Sequence, residues 1–222
     1  MSTPYVQSAA YENAAYGGLI DAAGGVATIV LAICGLAGVD PQLLTSIATI
    51  VFGVALFVQA GAMASEGVHG RAANISGRSI AEVQASGLAF LFLVGAAGIV
   101  LGVLALLGVH PLRLTAVAVI AFGTALLLSA NATRQMGSSH SADVTTTGGA
   151  EVLANELASG SAGIQVLAGL GGIVLGLIAL AGQGDDLTLV LVALLGLGAT
   201  VLMTGGALSA TVMSLMRPET RR

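Results

Sequence analysis

Read for hydrophobic and polar positions alone, the chain is one pattern written three times: an apolar run, a tight polar turn, a second apolar run, then a longer polar stretch. Residues 29–56, 99–126 and 173–199 read IVLAICGLAGVDPQLLTSIATIVFGVAL, IVLGVLALLGVHPLRLTAVAVIAFGTAL and IVLGLIALAGQGDDLTLVLVALLGLGA. Gly38, Pro41, Thr45, Phe52 and Gly53 recur 70 positions later at Gly108, Pro111, Thr115, Phe122 and Gly123. The third copy follows 74 later on its first helix (Gly108 to Gly182). Aligning Thr188 with Thr115 places its second helix 73 later, which takes one residue out of its turn. A fixed period marks one structural unit per repeat.

The predicted unit is a membrane hairpin. Six spans follow, at about 19–38, 42–63, 87–108, 112–134, 162–182 and 187–213. Each is apolar for about 20 residues, which at ~1.5 Å per residue crosses a ~30 Å hydrocarbon core. Within each hairpin a glycine closes one helix and a proline or aspartate opens the next. The fold class is therefore all-α: a polytopic membrane protein, one membrane domain over 1–222, with repeats at about 6–63, 79–136 and 150–213 and polar loops at 64–78 and 137–149. Each odd-numbered span is expected to carry a polar helical extension on its cytoplasmic side. In AEVLANELA (Ala150–Ala158), Ala150, Leu153, Ala154 and Leu157 share one helical face, with Glu151 and Asn155 opposite.

Composition supports lipid as the solvent, since 8% of residues are charged and 56% hydrophobic, against roughly 25% charged in soluble domains. All seven basic residues are arginine. Arg71, Arg78, Arg134, Arg217, Arg221 and Arg222 fall on the side of the long connections and termini, and Arg113 alone on the short-turn side. Basic residues beside spans are retained in the cytoplasm, so both termini are expected inside a bacterial-type inner membrane. The first 18 residues lack a basic start and an apolar core, so no cleavable signal peptide is expected. A net charge of -4 argues against a nucleic-acid partner. The lone cysteine, Cys34, supports no disulfide framework.

Candidate chemistry is sparse. Asp21 is the ionisable residue at depth, 17 positions before the turn glycine Gly38, or roughly 25 Å along a helix. Acids inside spans face a bundle interior, water or a partner, and the alternative for Asp21 is a hydrated place at the headgroups. Its repeat equivalents are Leu91 and Gln165, and Gln59, Ser129, Asn131 and Thr204 reach a similar depth on the even-numbered spans. Asp21, Gln165, Asn131 and Gln59 thus form a candidate polar layer or ion site, with Gln165 or Asn131 as the expected partner of Asp21. Glu12, Glu82 and Glu156 occupy repeat-equivalent positions in the extensions, either as helix-start acids or as a ring that collects cations. Glu66 and His69 have a metal-ligand spacing, but Gly67 and Gly70 place them in a loop. No His or Cys repeats beside the glutamates, so neither a metal nor any other cofactor is expected. Gly98, Gly102, Gly172 and Gly176 are small-residue pairs at helix-packing spacing.

The hairpin AGIVLGVLALLGVHPLRLTAVAVIAFGTALLLSA (Ala97–Ala130) resembles the short repeat of the HdeD-like acid-resistance membrane proteins: a glycine-rich span, a turn with proline, then a span with a central glycine and ALL. Three such hairpins are similar to that family's six-span layout, over about two thirds of the chain. The chain departs from the family in its roughly 70-residue period, its acidic helical extensions and a third turn without proline. The resemblance implies a non-enzymatic inner-membrane protein linked to acid or envelope stress, with no catalytic residues to carry over. Nothing in the chain assembles a catalytic constellation. The expected function is structural or stress-related. The alternatives are a small channel or transporter with a polar cytoplasmic vestibule, or an accessory subunit of a membrane enzyme. Expected partners are the lipid bilayer, further copies of the chain packed through the glycine pairs, and an unidentified membrane protein.

Overall fold

The computed structural model describes residues 22–70, 78–140, 149–182 and 185–215, with side chains at 22–61, 89–130, 163–182 and 185–204. These residues form six helices and no strand: α1 (Ala22–Leu36), α2 (Pro41–Gly70), α3 (Arg78–Leu106), α4 (Pro111–His140), α5 (Gly149–Leu180) and α6 (Asp186–Leu215). Helices α2 to α6 each hold a stretch long and apolar enough to cross a membrane; α1 is described over a shorter apolar length. This is the fold of a polytopic membrane protein.

The turns after α1 and α3 share one mechanism. The N–H of Gly38 donates to the Gly35 carbonyl (3.0 Å) and that of Val39 to the Cys34 carbonyl (3.2 Å). Gly108 and Val109 repeat this on Ala105 (3.0 Å) and Leu104 (3.1 Å). These paired bonds close a helix around a left-handed residue, where glycine avoids a Cβ clash; φ is +90° at Gly38 and +84° at Gly108. Pro41 and Pro111 then open the next helices, at a position whose N–H has no helical partner to lose. In the third turn Gly182 (φ +66°) bonds Ala179 (3.2 Å), and Asp186 stands where the prolines stand.

Helices α2, α4 and α6 each touch the other two and form the centre. Helix α3 lies between α2 and α4, and α5 between α4 and α6. Helix α1 meets α2 where Gly24 faces Ala55, and α6 where Gly25 faces Gly198 and Leu202. Burial follows the arrangement: 50%, 44% and 44% of the apolar stretches of α2, α4 and α6 are buried, against 33% and 22% for α3 and α5. The outer faces carry Val30, Ile33, Val100, Leu107, Val174 and Leu177, all exposed, as suits a surface solvated by lipid tails.

Across the centre the side chains stack in layers, one residue from each inner helix. In order they are Thr45/Thr115/Val190, Ala48/Ala118/Ala193, Thr49/Val119/Leu194, Phe52/Phe122/Leu197, Ala55/Ala125/Thr200 and Leu56/Leu126/Val201, every member buried. The Phe52 and Phe122 rings meet with centroids 4.8 Å apart, tilted by 55°.

These layers correct the alignment of the third copy. From α4 to α6 the shift is 75 (Pro111 to Asp186, Phe122 to Leu197), so the third turn holds one residue more than the others, not one fewer. Thr188, matched to buried Thr115 by letter, is exposed. Leucine, alanine and valine recur too often for residue identity to fix a register that core packing fixes.

Three close helix crossings repeat at the same shifts. A Cβ on Gly95 would lie 3.0 Å from the Gly53 carbonyl oxygen, one on Gly169 would lie 2.7 Å from that of Gly123, and one on Gly25 would lie 2.8 Å from that of Gly198. Backbone meets backbone at each, which only glycine permits. Such contact supplies the dispersion that holds helices together in lipid, where tails offer no hydrophobic drive.

The polar segment 64–78, expected as a loop, is helical as far as Gly70, and 137–149 is helical as far as His140 and again from Gly149. Glu66 and His69 therefore lie on a helix. Once nucleated, a helix gains one bond per added residue, and a single glycine costs only about 1 kcal/mol.

Candidate functional site

Of the residues expected to carry chemistry, Gln59 and Gln165 are described with their side chains, and both lie toward the ends of their helices away from the tight turns. Phe52, eleven residues past Pro41, lies ~16 Å into its helix, near the middle of a ~30 Å core. Seven residues further along the inner helices stand Gln59, Ser129 and Thr204, equivalent at shifts of 70 and 75 and all half-buried. They form one polar level about 10 Å beyond the phenylalanines, on the side away from the tight turns.

Among the described residues, a bond ties Thr204 of this level to an outer helix. Gln165 Nε2 on α5 donates to Thr204 Oγ1 (3.0 Å), and the Thr204 hydroxyl donates to the Thr200 carbonyl oxygen (2.9 Å). In the neighbouring sector the α3 residue at Gln165's position is Leu91, which is buried, and Ser129 Oγ donates to the carbonyl oxygen of Leu126 on its own helix (3.0 Å).

Above this level the polar side chains bind their own helices. Thr28 donates to Gly24 (2.8 Å), Thr45 to Pro41 (2.6 Å), Ser46 to Gln42 (3.0 Å), Thr49 to Thr45 (2.8 Å), Thr115 to Pro111 (2.8 Å) and Thr200 to Gly196 (2.6 Å). A buried hydroxyl bonded to the carbonyl one turn back is satisfied. Its proton is committed to that carbonyl rather than to a partner across the centre.

Of the residues singled out from sequence, Gln59 and Gln165 stand at this level, whereas Asp21 and Glu12 lie outside the described residues. Glu82, Glu156 and Asn131 fall on α3, α5 and α4, where the description extends to the helix alone. Among the described residues no three His, Cys, Asp or Glu side chains converge on a metal site. Gly98 lies against the Phe122 ring, Gly102 against Ile50, Gly172 against Leu197 and Gly176 against Ile120. These four faces are filled by inner helices of the same chain, so an interface between copies must use other residues.

Sequence reading took an aspartate of the third turn only as a helix start; Asp186 Oδ1 is buried without a hydrogen-bond partner among the described residues. It sits in the first turn of α6, where the positive end of the helix dipole favours an anion. Its signal was the missing proline of the third turn.

No protein-family model matches the chain, and neither a curated protein nor a solved structure is similar enough to match it.

Proposed function

We propose that the chain is a non-enzymatic integral membrane protein of structural or stress-related role, acting as an oligomer in a bacterial-type inner membrane. In this reading three repeated hairpins give six spans, with the termini and both long connections in the cytoplasm. One observation carries it: from Thr45 to Val201 the centre is closed layer by layer by buried side chains, and its hydroxyls bond their own helices. A bundle so filled serves as a rigid membrane body rather than a conduit. The stress-related part rests on the resemblance of Ala97–Ala130 to the HdeD-like repeat. A second reading, a channel or transporter with a cytoplasmic vestibule, draws on the polar level of Gln59, Ser129 and Thr204 with Gln165.

The purified protein in liposomes should pass protons and monovalent ions no faster than empty vesicles do. Sustained flux in proportion to protein would overturn the structural reading in favour of the second.

Topology is tested separately. A reporter active only in the cytoplasm should work after Arg222 and when inserted near Arg78 or Ser141, and should be silent beside Asp40, Arg113 or Asp185. Activity at any of the short turns would overturn the six-span arrangement.

A further inference from the structure

Each outer helix meets an inner helix of another hairpin through one glycine crossing: Gly95 of α3 on Gly53 of α2, Gly169 of α5 on Gly123 of α4, and Gly25 of α1 on Gly198 of α6. The first and last hairpins thereby close a ring. Beyond those glycines the three seams are not alike. Along α3 and α5 the crossing is followed by Gly102 and Ala105, and by Gly176 and Ala179, whereas the same places on α1 hold Ala32 and Gly35. Glycine and alanine have changed places. The inner helices differ to match: Ile50 and Ser46 of α2 lie against Gly102, and Ile120 and Ala116 of α4 against Gly176, but α6 carries Leu195 and Leu191 at those positions. A Cβ on Gly35 would stand 2.9 Å from Leu191 Cδ2, so the buried leucine fills the notch that the missing Cβ leaves.

We propose that Gly35 with Leu191, and Ala32 at the register of Leu195, form a key that reserves α1 for α6, so that the ring of outer helices closes only once the third hairpin is in place. Chains order from the N-terminus during synthesis. With two hairpins inserted, α4 presents Gly123 uncovered, and the crossing glycine Gly25 would fit it as Gly169 does. Two mismatches oppose that seat. A Cβ at the place of Gly176 comes within 2.7 Å of Ile120 Cγ1, and Ala32 carries such a Cβ; Gly35 would face Ala116 and leave open the space that Leu191 fills on α6. On α6 Ala32 is fully buried and the notch is occupied. A clash and a void at the wrong seat discriminate between similar partners. In lipid, where close packing is the main source of helix association, they decide which helices meet.

A double-mutant cycle on the full chain in mild detergent reads the key. Leu191→Ala should lower Tm by about 5–15 °C, and Gly35→Ala, which strikes the leucine, by about 2–6 °C. In the Leu191→Ala background the same Gly35→Ala change should raise Tm, because its methyl enters the void and the pair becomes the Ala179 and Ala116 of the neighbouring seam. An equal effect of Gly35→Ala in both backgrounds would overturn the key. Disulfide trapping in native membranes reads the selection without purified, folded protein. In a Cys34→Ser background, Ala32→Cys with Leu195→Cys should cross-link within the monomer under mild oxidation, and Ala32→Cys with Ile120→Cys at least tenfold more slowly. Adding Leu191→Ala should increase the 32/120 product severalfold. Ready 32/120 linkage with Leu191 intact, or no increase on its loss, would overturn the proposal and leave Leu191 as packing alone.

Discussion

Replacing Gly169 with leucine should leave little folded protein, whereas the same change at Gly171, two residues along the same helix, should be almost silent. A Cβ at Gly169 would stand 2.7 Å from the Gly123 carbonyl oxygen and 3.0 Å from Leu127; one at Gly171 meets no atom within 4 Å. A carbonyl in the middle of a helix cannot swing aside. The two helices would have to separate along their whole crossing and lose their close contact. Overpacking typically costs 1–3 kcal/mol, and more where backbone is struck. In lipid that loss bears on the main source of helix association. At Gly171 the added side chain enters the hydrocarbon, which favours it. The yield of folded protein and its Tm in mild detergent decide the matter. Equal behaviour of the two variants would show that α5 does not pack on α4 through Gly169. Leucine at Gly95 or Gly25 should act as at Gly169, because each meets the backbone of an inner helix in the same way.

The contrast between Gly169 and Gly171 also shows how far the sequence could be read. That helices would form, and where the tight turns would fall, was legible. A glycine followed three residues later by proline marks a helix end and a helix start by local backbone chemistry, and Gly38 and Gly108 do what their types require. Which face of each helix would be buried was not legible. In water a helix advertises its buried side by an apolar stripe; here both sides are apolar, Val100 facing outward and Leu91 inward on one helix. The division into three inner and three outer helices is equally silent in composition, because it lies in which glycines meet backbone.

The third copy fails for a related reason. Matching Thr188 to Thr115 was a reasonable alignment in an alphabet of leucine, valine, alanine and glycine, and it was wrong by two residues. A slip of two turns a helix by about 200° and exchanges its buried and exposed faces. The polar level suffered in turn: with the wrong register Gln59, Ser129 and Thr204 are merely residues of similar depth, and with the right one they are a single set. Sequence placed Gln59, Gln165 and Thr204 at similar depth, but Thr204 as the partner of Gln165 required the fold.

Truncating Phe52 or Phe122 to alanine should cost about 3–5 kcal/mol each, or a fall in Tm of roughly 6–20 °C. Both rings are fully buried, they touch each other at 4.8 Å, and Phe122 also covers Gly98. The residues round them belong to helices held by close glycine crossings, which cannot collapse into the space without breaking backbone contacts. The cavity should therefore persist, which puts the cost toward the upper part of that range. Yet neither single variant should leak. Leu56, Leu126 and Val201 form a second closed layer one turn further in, about 6 Å along the axis, and the hole left by one ring is a pocket, not a passage. Liposomes carrying Phe52→Ala should thus hold a proton gradient as well as the unaltered protein does, while denaturing at a markedly lower temperature. A leak with unchanged Tm would place the phenylalanines on the wall of an aqueous path. A lowered Tm with tight vesicles is what a solid membrane bundle requires, because its centre resists collapse through packing and resists conduction through the depth of its apolar layers.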